Sequence, residues 1–172
     1  MMPARHPGKP PRAAQGGKKS GGAGRDLGDI IANRPGYLIR RVHQIAEMYF
    51  GEETASFGVT SVQFGALLTI HAQPGIDQLR LGNAMRCDRT TVSGVVRRLE
   101  VKRLILRRTE QADRRAKALF LTRAGERLLG RMEAAVHRAE RRILTGLDAA
   151  DRRRALSLLA QVVRRFEERG RP

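Results

Sequence analysis

The sequence predicts a mainly α fold, in which a winged helix-turn-helix lobe is flanked by long helices at both ends, in the order α-α-α-α-β-β-α-α. Three observations predict it. The segment DRTTVSGVVRRLE, residues 88–100, opens on a capping residue and carries its valines and leucine at helical spacing. Two short apolar runs, Leu104–Arg108 and Ala118–Leu121, flank the charged loop QADRRAK at 111–117. Stretches at about 35–57 and 123–168 repeat apolar residues every three to four positions over lengths that suit helices and not strands.

Along the chain, residues 1–25 stand apart: they hold six of the 18 glycines, four of the seven prolines, six basic residues and no acidic one. With so little to bury, this tail is expected to be disordered when free. Residues 26–172 are expected to form the folded domain. In the first helix Tyr37, Leu38, Ile39, Val42, Ile45, Ala46, Tyr49 and Phe50 form the stripe, Pro35 suits the first turn, and Gly51 and Gly58 bracket the end. A second helix follows Thr60, its N-cap, with Gln63 three residues on. Its stripe is Phe64, Leu67, Leu68 and His71, and Pro74-Gly75 ends it. Ile76-Asp77 is a short extended piece, and a third helix, 78–86, turns Leu79, Leu81, Ala84 and Met85 inward. Asp88 caps the fourth helix, which buries Val92, Val95, Val96 and Leu99. After the two strands, Thr122 caps a long helix to about Leu147 that buries Leu128, Met132, Ala135, Val136, Ala139 and Ile143. Asp148 caps the last helix, with Leu156, Leu159, Val163 and Phe166 inward. The winged lobe thus spans about 60–122.

Charge narrows the function. Lys and Arg number 34 against 17 acidic residues, a net charge of +17, with a pI near 11.6. The tail supplies +6 of this, so the folded part keeps +11 and is basic in its own right. Such a surface meets polyanions. Aromatic residues, at 4%, are too few for the base stacking that RNA readers use. No apolar run reaches the ~18 residues of a membrane span, and the basic N-terminus lacks the apolar stretch of a signal peptide. A single cysteine, Cys87, excludes an internal disulfide and fits a reducing cytoplasm. His6, His43, His71 and His137 lack ligand-like spacing, so no metal or other cofactor is expected. Nor is there a nucleophile–base motif, a carboxylate pair or a phosphate loop to suggest an enzyme.

Two elements suit double-stranded DNA. With its valines buried, the fourth helix shows Arg89, Thr90, Ser93, Gly94, Arg97 and Arg98 on its other face. Hydroxyls bond bases or phosphates, arginine forks onto guanine, and glycine lets the helix approach closely. The slim loop carries Arg114, Arg115 and Lys117, charges suited to the narrow minor groove. Asp113 beside them can hold an arginine in a fixed direction.

Here the chain resembles a known family. Residues 113–122, DRRAKALFLT, with Gly125 three on, resemble the wing signature of MarR-type winged-helix regulators: D, any residue, R, five residues, then LT and a glycine. Leu81 and the 88–100 segment are similar to the family's helix-turn-helix, and the likeness covers about residues 35–168. One departure is Gly82, where the family tends to have alanine; a glycine there tightens the helix crossing. The resemblance implies a homodimer whose first and last two helices interlock and hold two DNA-reading lobes apart. It implies Arg115 as the minor-groove arginine and Asp113 as its orienting partner, and it places Arg89, Thr90, Thr91, Ser93, Gly94 and Arg97 on the reading helix.

Dimerisation is also expected from the apolar stripes of 123–147 and 149–168, which exceed what one small lobe can cover. Two-fold symmetry then predicts a pseudo-palindromic operator with half-sites roughly 10 bp apart. The resemblance further implies a small effector bound where dimerisation helices meet the reading lobe. Tyr37, Arg40, His43, Phe64 and His71 are the candidates; the first three lie three apart on one helix and can share a face. Arginine and histidine beside aromatic walls suit a carboxylate, a phenol or a CoA thioester. The opening PGYLIRR at 35–41 is similar to members that regulate breakdown of aromatic acids. Cys87, between Arg86 and Arg89, reads either as a redox-sensing thiol or as a small turn residue. The expected function is a cytoplasmic repressor released from its operator by an aromatic acid or its CoA thioester. The alternative is a nonspecific architectural DNA-binding protein.

Overall fold

The computed structural model describes residues 31–109 and 117–169. The elements follow in the expected order: α1 (Pro35–Thr54), a 3-10 turn (Ala55–Phe57), α2 (Ser61–Ala72), α3 (Gln78–Met85), α4 (Arg89–Val101), β1 (Ile105–Thr109), β2 (Lys117–Leu121), α5 (Arg123–Ile143) and α6 (Ala149–Glu168).

Local chemistry sets most helix starts. Pro35 occupies the first turn of α1, where its missing N–H is not needed. Thr60, Asp88, Thr122 and Asp148 accept backbone N–H groups of Gln63, Thr91, Gly125 and Asp151 at 3.3, 2.9, 3.1 and 2.8 Å, as their sequence positions predict. Asp77 is a fifth such cap, accepting from the N–H of Arg80 at 2.8 Å. At Gly75, φ is +85°, a turn that only glycine makes without strain. This turn sends Ile76 alongside β2: Gly75 N–H donates to the Leu119 carbonyl at 2.9 Å, and Leu119 N–H donates to the Ile76 carbonyl at 3.0 Å. The extended piece expected at Ile76 is therefore a bridge to the wing.

The core gathers under α4. Val92, Val95, Val96 and Leu99 are all buried, as expected, against Leu67, Ile70, Leu81, Leu119 and Met132. Each such side chain contributes about 1.5–3 kcal/mol by leaving water. Elsewhere the buried stripe differs from the expected one. In α2 the buried residues are Gln63, Ala66, Leu67 and Ile70, while Leu68 and His71 are exposed. A buried glutamine breaks a hydrophobic pattern, and it is satisfied from 39 residues away: Lys102 Nζ donates to Gln63 Oε1 at 2.9 Å. In α3, Leu81 and Gly82 are buried and Met85 packs half-buried against the core, but Leu79 and Ala84 lie off that face and are exposed. Gly82 does sit at a tight crossing: a Cβ there would lie 3.3 Å from Val92 Cγ2.

α5 ends at Ile143, short of the expected Leu147, where Thr145 N–H folds back onto the Arg142 carbonyl and Gly146 takes φ +92°. It buries Leu129, Met132, Ala135 and Ala139, with Leu128 and Val136 half-buried. At its start, a Cβ on Gly125 would overlap the Leu104 carbonyl oxygen, so glycine is required for α5 to leave the wing at this angle. α1 lies along α5 and is tied to it by charge. Glu53 bonds Arg138 Nε at 2.8 Å and Arg142 Nη1 at 3.0 Å. Arg142 also pairs with Glu52 at 2.7 Å and lies 4.2 Å over the Tyr49 ring.

α6 differs most from expectation. Within the single chain it buries none of its residues, and Leu156, Leu159, Val163 and Phe166, expected inward, are 48–61% exposed. Leu158 and Val162 join them, and α1 exposes Leu38, Ile39, Val42 and Met48. α6 does reach back to the turn before α4, where Glu167 Oε1 accepts from Arg86 Nε and Nη2 at 3.1 and 2.9 Å. Among the described residues, no helix is long and apolar enough to cross a membrane.

Candidate nucleic-acid interface

α4 turns a charged face outward because its apolar stripe is fully used by the core. Arg89, Thr90, Ser93, Arg97 and Arg98 are exposed, as the sequence predicts, and so is Thr91; Gly94, expected on the same open face, is half-buried. Gly94 lies beneath Arg98, whose Nη2 is 3.4 Å from where a Cβ on Gly94 would stand. Among the described residues, Arg89, Arg97 and Arg98 make no ion pair, whereas Arg86, Arg107, Arg138 and Arg142 each hold a carboxylate. One face of one helix thus carries three guanidinium groups that no carboxylate of the described residues neutralises.

The hydroxyls on this face are not equivalent. Thr91 Oγ1 donates to Asp88 Oδ2 at 2.6 Å, so its hydrogen is spent on the helix cap. That bond, with the Thr91 N–H bond to the same carboxylate, holds the Asp88 carboxyl below its ordinary pKa. Ser93 Oγ accepts instead, from Gln78 Nε2 on α3 at 3.2 Å. The sequence gives no sign of Gln78: a glutamine at a helix start looks merely solvated, and its partner is 15 residues away across the turn.

The wing is an antiparallel pair in register from Ile105↔Leu121 to Thr109↔Lys117. Its own arginines brace it. Arg108 lies 5.3 Å over the Phe120 ring, and Arg107 Nε is 2.8 Å from Glu100 Oε1, an ion pair without hydrogen-bond alignment. Lys117 is exposed at the base of the wing loop. Asp113, Arg114 and Arg115 lie outside the described residues, as does the tail 1–25.

The five effector candidates fall into two groups. Phe64 and His71 line a hollow of about 350 Å³ between α2 and α5, with Leu68, Leu129 and Val136 as apolar wall and Glu133, His137 and Glu140 also lining it. Phe50 stands against Phe64, ring centroids 5.8 Å apart. Tyr37, Arg40 and His43 are not part of this hollow; they sit on the N-terminal half of α1, where the Arg40 guanidinium covers the Tyr37 ring at 5.5 Å. His137 lies 3.0 Å from Glu140 and 4.0 Å from Glu133. Among the described residues no group of three His, Cys, Asp or Glu side chains has the arrangement of a metal site. Cys87 is half-buried, its thiol 3.4 Å from the Met85 carbonyl.

Known proteins share this architecture. Residues 59–117 match the family model described as MarR family. The chain is 34% identical over 151 residues to a putative transcriptional regulatory protein for the hcr operon of Thauera aromatica, covering 85% of this chain and 91% of that protein. Its fold is similar to the transcriptional repressor CouR bound to a 23-mer DNA duplex, with a TM-score of 0.75 and 28% identity over 79% of this chain and 96% of CouR. It is also similar to BpsR of Bordetella bronchiseptica, whose DNA binding is regulated by 6-hydroxynicotinic acid, with a TM-score of 0.72 and 26% identity over 77% of this chain and 94% of that one.

Proposed function

The chain belongs to the MarR family of transcriptional regulators, and on that premise we propose that it is a sequence-specific repressor that binds a pseudo-palindromic operator as a homodimer. Members of this family are regulators and not enzymes. The observation that carries the proposal is the outer face of α4: arginines that meet no carboxylate among the described residues stand, with the Thr90 and Ser93 hydroxyls, beside the base of an extended wing. On this reading Arg89, Thr90, Ser93, Gly94, Arg97 and Arg98 meet the major groove, and Thr91 fixes the helix start. Lys117 and the 113–115 segment meet the minor groove, with Arg115 inserted and Asp113 aiming it. The wholly exposed apolar face of α6 supports the dimer, since a helix that buries nothing gains little from folding alone.

We assign release to a small aromatic acid or its CoA thioester. The hollow beside Phe64 and His71 supports an aromatic occupant, and the similarity to a protein regulated by 6-hydroxynicotinic acid supports an acid. Tyr37, Arg40 and His43 would complete the site only from a second copy or after a shift of α1. The ligand acts by favouring a lobe spacing that fits DNA poorly.

The test is selection of a duplex from randomised DNA, followed by competition against a scrambled duplex at fixed salt. The selected duplex should bind at least about a thousandfold more tightly. Equal affinity would establish the architectural alternative. Arg115→Ala should cost about 1–3 kcal/mol of binding to the selected duplex with folding intact; unchanged affinity removes the wing arginine from the interface.

A further inference from the structure

We propose that Gln78, on the helix before the reading helix, is a specificity-positioning residue that fixes Ser93 as a hydrogen-bond donor toward DNA. The inference rests on the proposal that α4 faces the major groove.

A serine hydroxyl has one hydrogen to give and two lone pairs. Inside a helix that hydrogen commonly goes to the carbonyl four residues back. Thr54 and Thr69 do this here, donating to Phe50 and Gly65 at 2.6 and 2.8 Å. Thr91 gives its hydrogen to Asp88. Ser93 does neither among the described residues; its oxygen accepts from the Gln78 amide nitrogen at 3.2 Å. With a lone pair engaged from the α3 side, the hydrogen is left to point away from α3, along the exposed face shared with Arg89 and Arg97. A hydroxyl so held offers a donor. In the major groove its partners are guanine N7 or O6, adenine N7 and thymine O4; with one of its two lone pairs already taken, it is a poorer acceptor for the amino groups of adenine and cytosine. Gln78 also sits at the first position of α3, whose Asp77 cap and buried Leu81 hold it in place. The arrangement therefore links the two helices of the motif through a polar bond that sets which base edge is accepted.

Reversing the polarity tests this. Gln78→Glu replaces the donor with a carboxylate that takes the Ser93 hydrogen, leaving Ser93 with only lone pairs to show. A glutamate in a first helical turn is favourable, so α3 should keep its stability, checked by thermal melting. Duplexes are selected from randomised DNA by the wild-type protein, Gln78→Glu, Gln78→Met and Ser93→Ala, and each is measured against a scrambled duplex at fixed salt. The added charge should weaken all duplexes alike. Beyond that, Gln78→Glu should move the preference at one position of each half-site toward a base offering an amino group, by at least about fivefold. Gln78→Met should relax that position, and in the Ser93→Ala background Gln78→Glu should shift no base. A uniform loss with the wild-type preference kept would overturn the inference. So would a shift that persists without the serine, since Gln78 would then read the base itself. Arg89→Ala separates this from failure of the underlying reading: if it and Ser93→Ala both leave discrimination at the wild-type level, α4 does not read DNA and both proposals fall.

Discussion

Asp88 closes the fourth helix twice over, through the N–H and the hydroxyl of Thr91 at 2.9 and 2.6 Å. The helix it starts is the one proposed to enter DNA, so a frayed first turn would displace Arg89 and Thr90 together. Asp88→Ala should cost about 1 kcal/mol of stability, and Asp88→Asn, which keeps an acceptor, much less. The two bonds hold the carboxyl below its ordinary value, so their contribution is complete above the pKa of the unfolded aspartate and fades as pH falls through the lower folded one. Urea titrations of both variants at neutral and acid pH measure this. If alanine and asparagine cost the same, the side-chain acceptor is not what holds the helix start.

Among the elements, α4 was legible because its composition and its packing agree: four apolar residues at helical spacing, one Asp cap and one buried face. α3 was legible in its bounds but only partly in its inward face, since Leu81 and Met85 turn to the core as expected while Leu79 is exposed. α2 misled for a different reason, because Gln63 looks like surface until Lys102 folds over it. The candidate site divides the same way. The arginines and hydroxyls of α4 could be placed from their spacing, whereas Gln78 and the separation of Tyr37, Arg40 and His43 from Phe64 and His71 arise from how helices cross. The α1–α5 pairing was likewise invisible from periodicity, and charge shapes it. Hydrogen bonds from Arg138 and then Arg142 hold the Glu53 carboxyl below its ordinary value. Its stabilising effect is present above the unfolded pKa and is lost as pH falls through the folded one. Glu53→Gln should lower the melting temperature at neutral pH and reduce the further loss between neutrality and about pH 3, as calorimetry across that range would record. A variant with the wild-type acid profile would show the clamp to be inert.

For the molecule as a whole, the exposed row on α6 predicts concentration-dependent assembly. Val163→Asp places a charge in the middle of that row and should give monomers at micromolar concentration by sedimentation, with α1–α5 still folded. A dimer of unchanged affinity would move the interface elsewhere. The same variant should bind a full operator no better than a half-site, and it should lose much of the steep salt dependence, which for on the order of eight neutralised phosphates approaches a log–log slope of −7. The contact at Gly125 gives the long helix a mechanical meaning. With no room for even a methyl group against the Leu104 carbonyl, the wing and the root of α5 move as one piece. Its 21 residues then act as a lever roughly 30 Å long that carries the wing at one end. A tilt of about five degrees around its far end, where Glu53 of α1 holds Arg138 and Arg142, would displace the wing by about 2–3 Å, enough to carry a side chain off a base edge.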